Sequence, residues 1–267
     1  MKIYDTFIFF NELDLLDIRL NVLNDVVDHF VLVEATRTFQ NRKKPLYFSE
    51  NQYRFSKFLP KIKHIVVEDM PDSSDAWLLE YHQRNSIERG LALCEPEDQI
   101  MLSDIDEIPD PTKVTYAAKV TGIKAFRQSL YYYYLNNACC ELSDLPWTIM
   151  ADYSEFKQPQ VMRQHLIAVQ ASLLGGSTVT DAHFIEEGGW HFSYLGGTDA
   201  ILRKLEAFAH LEYSTEVYRD ADRIARAVSN GCDLFGRDLH FSRVPLDERF
   251  PAYIRTNRLR FEVLICQ

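Results

Sequence analysis

The first thirty-four residues constrain the fold more than any other stretch. Ile3 to Phe10 is a mostly apolar, β-prone run, and Asn11 then precedes Glu12, Asp14 and Asp17 at the head of a stretch where Leu13, Leu16, Leu20 and Leu23 recur at helical spacing. His29 to Glu34 (HFVLVE) is a second short apolar run of strand length. Strand, helix N-capped at Asn11 and strand make a β-α-β unit. The pattern continues with a short helix around Glu50 to Leu59, a strand over Ile62 to Val67, a helix over Trp77 to Cys94 and a compact strand over Gln99 to Ser103, with loops at 36–45 and 69–75. Such alternation predicts an α/β fold built on a mainly parallel central sheet flanked by helices, whose ligands bind beyond the carboxyl ends of the strands.

The second half changes character. Ile123 to Leu135 is a long β-like run containing Tyr131 to Tyr134, followed by irregular sequence through Pro146, Trp147 and Pro159. Residues 188–197 (GGWHFSYLGG) read as a glycine-bounded strand and turn, and helices are expected near Thr198 to His210 and Asp220 to Ser229. In the tail, Arg255, Arg258 and Arg260 are expected to pack on an acidic body. At 267 residues, with no repeat, low-complexity tract or linker, the chain reads as a single domain.

Composition narrows the partners. A formal charge of -10 speaks against a broad grip on a nucleic-acid backbone, while a nucleotide held through a metal stays open. The five cysteines (Cys94, Cys139, Cys140, Cys232, Cys266) show no C-x-x-C spacing, so reduced thiols are expected rather than a zinc site or disulfides. No run approaches the ~18 apolar residues of a membrane span, and the start shows no basic n-region or cleavage site, so a cytoplasmic chain is expected. P-loop, G-x-G-x-x-G and H-E-x-x-H motifs and a Ser-His-Asp pattern are absent.

What remains is acidic. Asp104 and Asp106 follow an apolar strand core (Ile100, Met101, Leu102) and lie two apart, so in an ideal strand their carboxylates share a face and a turn can aim both at one cation. Oxygen ligands suit Mg2+ or Mn2+. Many Asp-x-Asp pairs are solvated turns, but burial on both sides makes an unpartnered acidic pair costly here. The segment Glu186-Glu187-Gly188-Gly189-Trp190-His191 offers His191 as a third ligand, although a lone His is more often structural, and the two acids as general base. Arg84 reads either as an i,i+4 partner of Glu88 or as a contact to phosphate or to the Asp104 and Asp106 carboxylates. Tyr131 to Tyr134 alternate faces, which makes core their default.

Four blocks carry a family resemblance: FFNELDLLDIRLNVLNDVVDHFVLVEAT (9–36), KPLYF (44–48), SDIDEIP (103–109) and GGWHFSYLGG (188–197). Together they resemble glycosyltransferase family 17 over about residues 4 to 210, with nothing similar in the last fifty or so. The resemblance implies a GT-A-like, Rossmann-like fold with a nucleotide-binding half (1–110) and an acceptor half with C-terminal helices (111–267). It further implies a nucleotide-sugar donor, UDP-GlcNAc first, a Mn2+ or Mg2+ ion, a glycan or other hydroxyl acceptor, and transfer with inversion. Animal members carry a membrane anchor ahead of this domain, and this chain resembles the compact microbial or viral members. On that reading Phe10, Asn11, Glu12 and Glu34 border the uridine, Arg84 and Asp104 bind the donor, and Asp104, Asp106 and His191 hold the metal. Glu187 or Glu186 is the base, and Trp190, Tyr132 and Tyr194 are the acceptor-binding aromatics. A haloacid-dehalogenase-type phosphatase, a nucleotidyltransferase and a non-catalytic carbohydrate-binding protein are the competing readings.

Overall fold

A computed structural model describes residues 1–139, 141–142, 144–175, 181–213 and 215–266; Cys140 lies outside them. In chain order the elements begin β1 (Ile3–Phe9), α1 (Leu13–Leu23), β2 (His29–Ala35), α2 (Tyr47–Glu50), β3 (Ile62–Val67), α3 (Ala76–Asn85), β4 (Gln99–Leu102), β5 (Glu107–Pro109) and α4 (Pro111–Ala117). They continue with β6 (Ile123–Tyr132), β7 (Asn137–Cys139), β8 (Leu145–Asp152), α5 (Pro159–Leu173), β9 (Ala182–Ile185), β10 (Gly189–Ser193), α6 (Gly197–Leu205), α7 (Ala221–Asn230), β11 (Phe241–Arg243) and α8 (Ala252–Thr256).

The fold is mixed α/β. The sheet path runs β11-β7-β6-β8-β4-β1-β2-β3, with β9 and β10 branching from β6 and β5 pairing with β10. From β3 to β4 every pairing is parallel, with Tyr4 opposite His29 and Ile100, as the β-α-β reading requires. Beyond β4 the sheet turns antiparallel through β8, while β9 and β10 run parallel to β6. The β6–β8 register slips between Phe126 and Arg127, where Arg127 faces Pro146, a residue with no N–H to offer a ladder.

Alternation along the strands divides the core. Phe7, Phe9, Phe30, Leu32 and Met101 pack on one face with α1 and α8; Tyr4, Val31, Val33, Ile100 and Leu102 pack on the other with α3 and α5. A third cluster joins Tyr132, Tyr133 and Phe241 to α6 and α7. Tyr133 has a positive φ of 68°, which ends the alternation expected of the tyrosine run.

Several expectations shift. The stretch expected as helix over 50–59 is 3-10 in character from Gln52 to Lys61, and the helix over 77–94 stops at Asn85 and tightens into a 3-10 turn over Ser86–Gly90. There Gly90 presses on Val31, and a Cβ at 90 would lie 2.4 Å from Val31 Cγ1. The N-cap of α1 is Glu12 rather than Asn11. In the tail Arg260 pairs with Asp17 at 3.0 Å, and Arg255 and Arg258 donate to the carbonyls of Phe250 and Leu246. No helix among the described residues is long and apolar enough to cross a membrane.

Candidate active site

A cleft of about 440 Å³ opens beyond the carboxyl ends of β1 and β4, walled by α3, α5, β10 and α6. Its floor is the segment after β4. The Glu107 N–H donates to the Asp104 carbonyl at 3.0 Å, closing a turn, and the Asp104 N–H donates to Glu107 Oε2 at 2.6 Å. Instead of converging on one point, the two aspartates meet different cations. Asp104 accepts from Arg84 Nη2 at 3.0 Å and Arg163 Nη2 at 2.8 Å; Asp106 Oδ2 accepts from Lys204 Nζ at 3.0 Å. Arg163 also forks onto Glu107, at 2.8 and 2.9 Å.

Each cation arrives on its own element. Asp75 caps α3 by accepting from the N–H groups of Trp77 and Leu78, which sets Trp77, Tyr81 and Arg84 along the cleft. Arg84 is held there by Glu80 at 2.7 Å and Gln160 at 2.9 Å; its i,i+4 partner is Glu80, not Glu88. Pro159 opens α5, and with Met162, Leu166 and Val169 buried, Arg163 projects to the cleft. Lys204, in the last turn of α6, lies over the Tyr194 ring at 4.9 Å.

His191 comes from β10. Gly189 sits at φ 135°, and a Cβ there would lie 2.3 Å from the Ile108 carbonyl oxygen, so only glycine lets β10 lie this close to β5. That places His191 opposite Glu107, its Nε2 3.8 Å from Asp106 Oδ1 and its ring 4.3 Å from Trp147. His191 Nδ1 and Trp147 Nε1 are buried without a hydrogen-bond partner, on two residues that line the cleft.

Burial and charge set the protonation. Burial alone would raise the Asp104 carboxyl, but Arg163 and Arg84 outweigh it and hold it well below the usual carboxylate range. Lys204 likewise outweighs burial at Asp106 and lowers it. For Glu107 burial wins over Arg163, and its pKa rises to about 7. Burial pushes His191 down to about 4, so its imidazole is neutral at pH 7.

Among the described residues no group of three or more His, Cys, Asp and Glu side chains is assembled to hold a metal. Asp104 is committed to two guanidinium groups. Asp106 Oδ1 and neutral His191 Nε2 remain as a ligand pair, one hard oxygen and one imidazole, leaving positions for phosphate oxygens and water. That donor set fits Mn2+ or Mg2+, which are held by few protein ligands plus substrate phosphates.

Of the residues singled out from sequence, Phe10, Glu12, Arg84, Asp104, Asp106, His191 and Tyr194 line this cleft. The others do not. Glu34 is fully buried on β2, where it accepts from the Phe48 N–H at 3.1 Å and faces Lys44 and His64, so it anchors the segment before α2. Asn11 contributes its N–H to Glu12 Oε2. Glu186 and Glu187 stand on the exposed β9–β10 turn, paired with Arg127 and Lys113. Trp190 points away from His191, as neighbours on a strand must, into a second cavity with Glu187 and Tyr253. Tyr132 is buried, stacked on Phe241 at 4.6 Å.

Sequence reasoning passed over Arg163, Lys204 and Glu107. Glu107 stood inside the SDIDEIP block, and its distance of three from Asp104 was the available signal. Lys204 reads from sequence as an ordinary dipole partner at a helix C-terminus. Arg163 lies on α5, just past the stretch through Pro159 that reads from sequence as irregular.

The β-1,4-mannosyl-glycoprotein 4-β-N-acetylglucosaminyltransferase of Homo sapiens is 25% identical over 286 aligned positions, covering 96% of this chain and 53% of that protein. The Rattus norvegicus enzyme of the same name is 24% identical with the same coverage. The chain thus spans about half the length of the curated relatives it matches. Solved structures similar to it include the mannosyltransferase PcManGT from Pyrobaculum calidifontis in complex with GDP-Man and Mn2+ (TM-score 0.41, 8% identity, 77% of this chain and 61% of that one). Another is HddC from Yersinia pseudotuberculosis (TM-score 0.38, 10% identity, 70% of this chain and 92% of that one). Residues 1–239 match the profile of glycosyltransferase family 17, the family to which this chain belongs.

Proposed function

We propose that the chain is an inverting, metal-dependent glycosyltransferase that moves GlcNAc from UDP-GlcNAc to a hydroxyl of a glycan acceptor. The observation that carries this reading is the Asp106 Oδ1–His191 Nε2 pair, 3.8 Å apart in a cleft beyond the carboxyl ends of the parallel strands β1 and β4. Family membership and the names of the curated relatives supply the reaction class and the sugar. Residues 1–110 then form the donor half and 111–267 the acceptor half.

Mn2+ or Mg2+ held by Asp106 and His191 would supply Lewis-acid assistance to the departing diphosphate. The remaining work falls to side chains. His191 stays neutral and keeps a lone pair for a ligand. Lys204 brings an ammonium group to the same carboxylate, where it can meet phosphate charge as it develops. Arg84 and Arg163 hold Asp104 ionised and rigid, so that it accepts from a donor hydroxyl. Glu12 is, among the described residues, the cleft acid without an ion-pair partner; Oε2 takes the Phe10 and Asn11 N–H groups. Its carboxylate is available to a sugar hydroxyl, as hydrogen-bond acceptor or as base for the attacking one. Glu186 and Glu187 have no part in the step, because neither lines the cleft.

A donor screen tests the proposal. Mass spectrometry with UDP-GlcNAc, UDP-Gal, UDP-Glc and GDP-Man, each with and without Mn2+, should find slow Mn2+-dependent hydrolysis of UDP-GlcNAc above the others. If no sugar nucleotide is hydrolysed and calorimetry finds no UDP binding, the reading fails.

A further inference from the structure

The carbonyls of the acidic loop point into the protein, where each needs a donor. The Asp106 carbonyl accepts from the Phe192 N–H at 2.8 Å, and one side chain meets three of the others. Arg19 of α1 donates from Nη1 to the carbonyl oxygens of Asp104 (2.9 Å), Ile105 (3.3 Å) and Glu107 (2.9 Å). Its Nη2 donates to Ser103 Oγ and Asp5 Oδ1, both at 2.6 Å, and its Nε to Asp5 Oδ2 at 2.8 Å. Both Arg19 and Asp5 are fully buried, and the guanidinium lies 4.6 Å from the Phe7 ring centre.

A guanidinium carries five N–H donors, and here all five are spent on β1 and on the loop. Arg19 therefore has nothing left for a ligand, and it does not line the cleft. We infer that Arg19 is a positioning residue. From beneath, it fixes the backbone of residues 103–107, so that Asp106 is aimed at His191 and Lys204 while Asp104 is aimed at Arg84 and Arg163. A buried ion pair is a poor device for stability alone, since apolar residues of like volume commonly do as well. Geometry is what this one supplies: a planar fork spans carbonyls on three residues, which a lysine ammonium cannot do. As a statement about catalysis, the inference rests on this cleft being the donor site.

Amide hydrogen exchange on Arg19→Lys tests it, because lysine keeps a cation beside Asp5 and loses the fork. Folded Arg19→Lys should exchange the Asp104 and Glu107 amides at least tenfold faster than wild type, with β1 and β4 amides within about twofold. UDP in the presence of Mn2+ should bind it at least tenfold more weakly by calorimetry. Ser103→Ala, which removes a single Arg19 contact, should move the same loop amides in the same direction by a smaller factor, and decides the matter if Arg19→Lys does not fold. A pair serving only overall stability would speed all amides together; that pattern, or loop amides at the wild-type rate, overturns the inference. Absence of UDP binding to the wild-type protein would overturn the donor-site reading alone, and the exchange data would still decide for or against Arg19.

Discussion

Asp104 and Asp106 lie two residues apart, yet each has its own cation, and substitutions at the two positions should therefore read out differently. Asp106→Asn keeps volume and loses the charge that faces His191 and Lys204. We expect it to lower UDP affinity in Mn2+ by tenfold or more while melting within a few degrees of wild type; calorimetry with and without Mn2+ is the check. Arg84→Ala instead strands Glu80 and leaves Asp104 with Arg163 as its remaining cation, so a loss of about 3 kcal/mol is expected from breaking a buried pair. At roughly 2–4 °C per kcal/mol that is about 6–12 °C in melting temperature, accompanied by weaker UDP binding. An unchanged melt would mean that Glu80 finds another partner and that Arg163 suffices for Asp104. For Glu187→Gln the expectation is near-wild-type donor hydrolysis, since the side chain is 89% exposed and bound to Lys113. A hundredfold loss, the scale of a missing general base, would return that residue to the reaction.

At the level of elements, β10 shows what glycine does here. Its first residue has a positive φ and no room for a Cβ, so Gly189→Ala should cost more than about 3 kcal/mol through backbone strain and collision with β5. Gly175→Ala makes the control, having positive φ but nothing within 4 Å; thermal melting of the two variants separates strain from collision. From sequence Gly189 reads as the bound of a strand, when its use is close approach. β1, β2 and β4 were legible because strands covered on both faces are short, mostly apolar runs, and β3 because its apolar residues are β-branched. By contrast, β8 and α5 were lost to their prolines. Pro146 suggested a break but sits where the β6–β8 register slips, and Pro159 is the first residue of a helix. The acid half of the site was legible because Asp104 and Asp106 are neighbours in the chain. Of its cations Arg84 was legible, whereas Arg163 and Lys204 were not, because they reach the acids only when α5 and α6 pack beside α3.

Across the whole molecule, the last residues belong to the core as much as the first. Phe250, Ile254, Phe261 and Leu264 pack in the same cluster as Leu16, Leu20 and Leu23 of α1, although the family match ends at residue 239. A chain cut after Leu239 should therefore fail to give soluble, cooperatively melting protein, because α1 would keep an apolar face in water; soluble expression and a circular-dichroism melt would test this, and a sharp melt would mean that the tail is dispensable. The excess of acidic over basic residues makes an arginine-bearing tail a suitable cover, and Arg260 on Asp17 is its one direct ion pair to α1 among the described residues. The bond from Tyr253 Oη to Asp17 Oδ2, at 2.8 Å, joins residues 236 apart in the chain. On a ribosome moving at roughly 5–20 residues per second, α1 would wait about 12–47 s for that partner. Through that interval the part of α1 that the tail will cover is left to water.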